Sequence, residues 1–375
     1  MRDQSLEFLK DLVNTPSPSG YEQRVAKLYR DYAERFADRV TTDIHGSVTA
    51  VVNPGASMKI MLAGHMDEIG FIVHHISDEG LLYFSAIGGH DSIIPVGQMV
   101  WVHGRQRVPG AIGRKAIHLL DPEEGKKKPE LKDLWIDIGA SSRAEAEAVV
   151  QIGDVVTYQY EFQPLVGNRA MARGFDNKAG LFIVAETLRL LREEGGLRDG
   201  VGVYAVGTVQ EEIGSRGART SAFAIGAQTG LAVDVDHAVD YPGVSKAQYG
   251  QLDLGKGPSV SRGANTNPVV FDLICQAARE EGIAYQVRVA PGATPTDAGM
   301  MQINGPGGDG AARGSTTLHA HPVRDREPQG CGRLCPADGC LLPAGYTGNR
   351  LHPAIVPALA DMARLFNRPD YLLCS

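Results

Sequence analysis

The chain has 375 residues, a hydrophobic content of 43%, 45 glycines and a formal net charge of −7. This length exceeds that of one average domain and predicts two. The negative charge and the absence of a basic stripe with interleaved aromatic residues argue against nucleic-acid binding. No apolar run reaches the roughly 18 residues of a transmembrane helix, and the charged start does not resemble a signal peptide, so we expect a cytoplasmic protein.

The first third of the chain predicts α-helices and strands in turn. Amphipathic patterns predict helices at 5–13 and 21–36, on either side of a turn rich in proline and serine. Short strands around 40–52 then lead to an apolar strand at 58–63. Residues 70–166 carry short β-like runs separated by glycine, aspartate and proline. We interpret that segment as a small inserted β-domain.

A strand–helix–strand pattern resumes after the insertion. A helix at 177–194 follows Asp176 directly, and a helix at 267–281 and a strand at 284–290 extend the pattern to about residue 302. We therefore expect a discontinuous α/β catalytic domain, an inserted β-domain and an atypical tail. Their predicted ranges are 1–69 with 167–306, 70–166, and 307–375.

His65 and Asp67 follow the strand at 58–63, after a glycine. A strand that leaves a sheet in this way can deliver a metal ligand and a supporting carboxylate to the open edge of an α/β site. A single histidine in this position is more often a hydrogen-bonded structural residue. The pair therefore gains weight only from other acidic residues in the same setting.

Four further carboxylates occupy such positions: Asp176, Glu211, Glu212 and Asp234. Together they predict a pair of divalent metal ions, zinc or cobalt with manganese as an alternative. Asp176 suits a bridging position, His65 and Asp234 suit one ion, and Glu212 suits the other. Consecutive side chains on an extended segment point in different directions, so Glu211 can face the attacking water while Glu212 binds metal.

Two neighbours of these residues complete the predicted site. Asp67 is expected to orient His65 through its second ring nitrogen and to raise its basicity. Asp236 lies two residues after Asp234, and only one of the two can be placed on the metal; we interpret Asp236 as structural.

Four runs of sequence resemble the glutamyl and deblocking aminopeptidase family, which includes the tetrahedral aminopeptidases and members labelled endoglucanase or cellulase M. The runs are Gly64-His65-Met66-Asp67-Glu68-Ile69-Gly70, Gly174-Phe175-Asp176-Asn177-Lys178, Glu211-Glu212-Ile213-Gly214-Ser215-Arg216-Gly217 and Ala232-Val233-Asp234-Val235. The similarity covers roughly residues 1–306, including Thr296-Asp297-Ala298.

The resemblance implies a three-layer α/β catalytic domain with an inserted, barrel-like β-domain used for assembly into a dodecamer. It also implies a binuclear site in which His65 and Asp234 bind one metal, Asp176 bridges, Glu212 binds the other metal, and Asp67 and Glu211 are catalytic.

One family motif is missing. The family carries a further histidine ligand in an Arg-Tyr-x-His run, but residues 307–322 lack it. Codons permitted for Ser315 to Glu327, read one base later, encode Pro-Leu-Arg-Tyr-Met-His-Thr-Pro-Ser-Glu-Ile-Val, which contains the motif. We therefore hypothesise a frameshift from about Gly307. In the chain as written, His319 or His321 could substitute for the ligand, and His321 is the preferred stand-in because it overlaps the shifted histidine codon.

These features predict a metal-dependent aminopeptidase acting on short peptides, with a metal-bridged hydroxide as nucleophile and Glu211 as general base. A deacylase, dipeptidase or carboxypeptidase on the same scaffold is an alternative. A glycosidase would use Glu211 and Asp67 as paired carboxylates but would leave the other acidic residues unexplained. An inactive subunit that only assembles is a further alternative if the tail is real.

Overall fold

The structure is a computed structural model. It describes residues 2–123, 125–166, 169–194, 197 and 199–304, and the backbone of two strands at 314–323 and 331–333. The remainder of the tail predicted from residue 307 lies outside the described residues.

Eight α-helices are described, together with 3-10 helices at Ile117–Leu119 and Leu131–Asp133. In chain order the α-helices are α1 (Asp3–Asn14), α2 (Gln23–Ala33), α3 (Arg143–Glu147), α4 (Phe175–Glu194), α5 (Arg216–Ile225), α6 (Lys246–Tyr249), α7 (Pro268–Glu280) and α8 (Asp297–Ile303). The start of α7 follows from its sequence: Asn267 accepts the N–H groups of Val269 and Val270 at 2.9 and 3.3 Å, and Pro268 occupies the first turn.

Seventeen strands are described. They are β1 (Arg39–Thr42), β2 (Val48–Val52), β3 (Met58–His65), β4 (Gly70–Ile76), β5 (Leu82–Ile87), β6 (Met99–His103), β7 (Arg107–Arg114), β8 (Leu134–Asp137), β9 (Val155–Tyr158), β10 (Gln163–Leu165), β11 (Arg169–Met171), β12 (Val201–Thr208), β13 (Thr229–Val235), β14 (Ser259–Gly263), β15 (Gln286–Ala290), β16 (Gly314–Val323) and β17 (Cys331–Arg333).

A large mixed sheet forms the core of the α/β unit. Its order is β1-β2-β12-β3-β13-β16-β17-β11-β10, and β14 joins β15 and β16. Strands β12, β3, β13 and β16 are parallel neighbours. Every residue of β12 is buried, as expected for a strand covered on both faces.

Helices cover both faces of this sheet. Apolar residues of α1, α2, α4 and α7 pack into one cluster with the sheet. A second cluster joins α5 and α8 to side chains of β3, β12 and β13 that alternate with those of the first. The predicted three-layer α/β fold is confirmed.

The insertion is a closed barrel with the strand order β4-β5-β8-β7-β6-β9. Its interior is a separate apolar cluster that includes Phe71, Phe84, Val102 and Ile136. The predicted barrel-like character of this segment is confirmed.

The chain divides into two compact units. One contains residues 1–15, 22–67 and 161–375, and the other contains residues 16–21 and 68–160. Residues 16–21 belong with the barrel because Pro18 pairs with Glu68 and the Ser17 N–H donates to the Glu68 carboxylate at 2.9 Å. Along the described ranges, every helix is too short or too polar to serve as a transmembrane span.

Candidate metal centre

Three side chains converge at the carboxyl ends of the central strands. His65 is the last residue of β3, Asp234 lies near the end of β13, and Asp176 lies at the start of α4. His65 Nε2 is 3.2 Å from Asp176 Oδ1 and 3.8 Å from Asp234 Oδ1. One possible ligand atom from each residue lies within 4.8 Å of the other two, a spacing that one metal ion can span.

Two glycines allow α4 to approach the strand ends this closely. A Cβ atom on Gly64 would lie 2.5 Å from the backbone nitrogen of Leu181. A Cβ atom on Gly180 would lie 2.4 Å from the carbonyl oxygen of Val233. Any larger residue at either position would push α4 away from the sheet and separate Asp176 from His65 and Asp234.

The start of α4 is fixed by Asn177. Its amide donates to the Val233 carbonyl at 2.7 Å, and its Oδ1 accepts the Gly180 N–H at 3.0 Å. Asp176 and Asn177 have non-helical dihedral angles, and the peptide bond between them is cis. The two side-chain contacts of Asn177 hold Asp176 beside the end of β13, and the regular part of α4 begins after Asn177.

Asp67 contacts His65 and also accepts hydrogen bonds from the loop that follows β12. His65 Nδ1 is 3.0 Å from the Asp67 carbonyl oxygen and 3.4 Å from its Oδ1. The two carboxylate oxygens of Asp67 accept the N–H groups of Glu211 and Glu212 at 2.9 and 3.1 Å. Asp67 therefore connects the last residue of β3 to the residues after β12, and the sequence did not indicate this second contact.

Glu211 and Glu212 follow β12 and both side chains are largely withdrawn from solvent. Glu211 Oε2 is 3.8 Å from His65 Nε2. Burial, with a smaller contribution from neighbouring carboxylates and against the effect of His65, raises the pKa of Glu211 to about 7. Burial, followed by the charge of Asp176, also raises the pKa of Glu212 well above its usual range.

Burial and neighbouring charges also shift the pKa values of Asp234 and His65. Burial raises the pKa of Asp234 well above its ordinary value. Burial lowers the pKa of His65, but contacts with Asp176 and Asp67 outweigh it and raise that pKa well above 6.5. A divalent cation would remove the repulsion among these carboxylates, so the donor set fits oxygen- and nitrogen-bound metal of the zinc, cobalt or manganese type.

Asp236 has a different environment from Asp234. Its Oδ2 accepts the Ser259 hydroxyl at 2.8 Å, and its Oδ1 lies 3.1 Å from Arg288 Nη1. These contacts place Asp236 in a hydrogen-bonded structural role, apart from the ligand atoms that surround His65.

Asp297 was not among the predicted site residues. Its side chain is 2% exposed, and its Oδ2 accepts the Thr208 hydroxyl at 2.5 Å. Thr208 is paired with His65 in the β12–β3 ladder. Burial raises the pKa of Asp297 to about 6. Asp297 belongs to the Thr296-Asp297-Ala298 run that resembles the family, but no role was assigned to it from the sequence; the fold reveals its contact with Thr208.

His321 lies in β16, where its backbone pairs with Arg333 of β17; its side chain lies outside the described residues. In the β13–β16 ladder the backbone of His319 pairs with Asp234. The two candidate stand-ins for the missing ligand therefore lie on a strand adjacent to β13.

Comparison with known proteins shows a match to a peptidase family. The model for M42 glutamyl aminopeptidase matches residues 46–325. Lysyl aminopeptidase of Pyrococcus furiosus is 34% identical over 303 residues, covering 80% of this chain and 85% of that protein.

Solved structures agree with this family. The TET aminopeptidase of the marine sediment archaeon Thaumarchaeota archaeon SCGC AB-539-E09 superposes with a TM-score of 0.81 at 34% identity, covering 88% of this chain and 91% of that one. The TET1 peptidase of Pyrococcus horikoshii, which can assemble into a tetrahedron or a large octahedral shell, gives 0.74 at 27% identity, covering 87% and 94%.

The fold and the sequence similarity are those of a metal-dependent aminopeptidase, a hydrolase. The chain belongs to the M42 glutamyl aminopeptidase family.

Proposed function

We propose that this enzyme removes N-terminal residues from short peptides, with Glu211 as general base and two divalent metal ions as cofactor. The observation that carries the proposal is the convergence of His65, Asp176 and Asp234 within 4.8 Å beside a glutamate whose pKa is raised to about 7. His65 and Asp234 would hold one ion, Glu212 the other, and Asp176 both. When bound, the ions polarise the peptide carbonyl and lower the pKa of water.

Glu211 is suited to move a proton in both directions. A general base works best when its pKa lies near the operating pH, and that of Glu211 is raised to about 7 by burial. We assign it the transfer of a proton from the attacking water to the nitrogen of the leaving amine. Asp67 supports this role by holding the Glu211 N–H at 2.9 Å while it also contacts His65.

A free amino terminus is the expected recognition element. We expect an acidic side chain near the metal ions to bind the substrate ammonium group, because opposite charges attract. A deacylase would instead act on N-acylated compounds, and a dipeptidase would require a free carboxylate close to the scissile bond. The three activities therefore differ in which end of the substrate must be free.

The test compares a peptide with a free amino terminus, its N-acetylated form and a dipeptide, each before and after replacement of Glu211 by glutamine. We expect turnover of the peptide with the free amino terminus, no turnover of its acetylated form, no preference for the dipeptide over the longer peptide, and loss of turnover in E211Q. Glu280→Gln on the exposed end of α7 is the matched control and should retain parental turnover. Preferential hydrolysis of the acetylated peptide, or full activity of E211Q, would contradict the proposal.

We also propose that the chain forms a homo-oligomer, a dodecamer by likeness to its tetrahedral relatives. The TET1 peptidase of Pyrococcus horikoshii assembles into closed shells. The barrel unit exposes apolar side chains, with Ile117 at 75%, Leu119 at 69% and Ile93 at 55% exposure, which an assembly contact would cover. Light scattering should give a mass near twelve times 40.1 kDa, and a monomeric mass would contradict it.

Two finer predictions remain for experiment. Elemental analysis and reconstitution should identify the metal as zinc or cobalt, with manganese as the alternative. The cytoplasmic location expected from the sequence is tested by cell fractionation.

A further inference from the structure

The loop after β12 ties Glu211 to Ser215 by two separate hydrogen bonds. The Ser215 main-chain N–H donates to the Glu211 carbonyl oxygen at 2.9 Å. The Ser215 hydroxyl donates to Glu211 Oε1 at 3.2 Å. Ser215 is only 4% exposed, so water competes little for these contacts.

The hydroxyl contact distinguishes the two oxygens of the Glu211 carboxylate. Oε1 faces Ser215, whereas Oε2 lies 3.8 Å from His65 Nε2. A glutamate side chain has several rotatable bonds, and a donor on one oxygen restricts the direction in which the other points. The oxygen on the His65 side is thereby oriented towards the cluster.

The backbone conformation at Ser215 is one that favours glycine over serine. Its dihedral angles are φ 49° and ψ 40°, in the left-handed region where a residue with a Cβ atom is uncommon. Glycine adopts this conformation without steric cost. The chain therefore carries serine at a position where the backbone conformation favours a residue without a side chain. The side chain of this serine contacts the carboxylate of Glu211.

We propose that Ser215 is a positioning residue for Glu211: its hydroxyl holds one carboxylate oxygen so that the other stays directed at the reacting groups. This inference rests on the proposed role of Glu211 as general base. Because Ser215 acts on orientation, its removal should lower kcat and leave substrate binding largely unchanged.

Three substitutions separate the hydroxyl from the backbone conformation. Ser215→Ala removes the hydroxyl and keeps the strained backbone, Ser215→Gly removes the hydroxyl and relieves the strain, and Ser215→Thr keeps the hydroxyl. We expect S215A and S215G to lose about tenfold in kcat with KM within about twofold. S215G should unfold at a higher temperature than S215A, and S215T should retain more kcat than either. Metal content should equal that of the parent in all three.

Ser221→Ala on α5 is the matched control, because Ser221 is another serine buried to a similar degree, at 3% exposure. It should leave kcat unchanged. Glu211→Gln, measured alongside, tests the proposed function itself. Full activity of E211Q would remove the general base and the Ser215 inference together. Loss of activity in E211Q with parental kcat in S215A and S215G would overturn the Ser215 inference alone, as would a correctly folded S215T that is as slow as S215A.

Discussion

The carboxylate of Asp67 accepts the main-chain N–H of Glu211 at 2.9 Å while its Oδ1 lies 3.4 Å from His65 Nδ1. One buried side chain thus contacts the residue at the end of β3 and the residues that follow β12. The imidazole and the proposed general base are positioned by the same group, so a change at Asp67 should affect both.

Asp67→Asn tests this connection. The amide keeps only one acceptor oxygen for the two N–H groups of Glu211 and Glu212, and a buried donor left unpaired costs about 1–3 kcal/mol. We expect a lower free energy of unfolding in denaturant titration and a lower kcat/KM. Asp137→Asn, at an exposed aspartate that accepts one N–H in the barrel, is the control and should change neither. Parental stability and activity in D67N would contradict the assignment.

Asp234 and Asp236 are predicted to respond differently to the same substitution. Asp234→Asn should lower metal content and reduce turnover by at least about 100-fold, because it removes a charged ligand from the cluster. Asp236→Asn should keep its metal and lower the free energy of unfolding, because it weakens the contacts with Ser259 and Arg288. Elemental analysis and thermal unfolding of both variants check the pair. Loss of metal in D236N and not in D234N would contradict this assignment and indicate Asp236 as the metal ligand.

The metal-free protein should become less stable as the pH rises. Burial raises the pKa of Glu211 from 4.5 to about 7 and that of Asp297 from 3.8 to about 6. For each group, at pH values between its ordinary pKa and its raised pKa, the folded state binds more protons than the unfolded state. The free energy of unfolding therefore falls as the pH increases through that interval. The raised pKa of His65 has the same sign, since its stabilisation is lost as the pH passes that raised value.

Thermal unfolding of chelator-treated protein across this window measures the effect. The midpoint should be lower at pH 8 than at pH 5, and metal at 100 times its dissociation constant should restore about 2.7 kcal/mol at the higher pH. If the unfolding temperature of the metal-free protein instead rises with pH, burial of these carboxylates does not destabilise the folded state.

The tail gives a prediction about the gene. We propose that the reading frame changes near Gly307, since one shifted frame restores the missing Arg-Tyr-x-His run. Sequencing of the coding DNA should find a missing or extra base there, and the restored chain should bind more metal than the chain as written. If the frame is intact, replacement of His319 and His321 in turn by alanine identifies any stand-in ligand, with His321 expected to lose metal.

Much of the fold could be read from local patterns. The predicted helices at 177–194 and 267–281 are observed as α4 and α7, and the strand at 58–63 is β3 extended to His65. These elements have long periodic or apolar runs, so the local sequence is sufficient to determine their secondary structure. The place of residues 16–21 in the barrel unit could not be predicted, because it depends on a bridge between Pro18 and the distant Glu68.

The site shows the same division. His65 and Asp234 were recognisable because each lies at the end of an apolar strand, and Asp176 because a helix follows it directly. Asp297 and Ser215 were not, because their importance lies in contacts with Thr208 and Glu211 that depend on tertiary packing and a left-handed backbone. Sequence patterns identify residues that end strands, and only the folded chain identifies residues that support them.

The most direct test of the account is the number of metal ions per chain in the purified protein, measured by elemental analysis with peptide turnover on the same sample. We predict about two divalent ions per chain together with hydrolysis of a peptide that has a free amino terminus. A protein that binds no metal after incubation with zinc or cobalt, and that hydrolyses no peptide, would contradict the central claim.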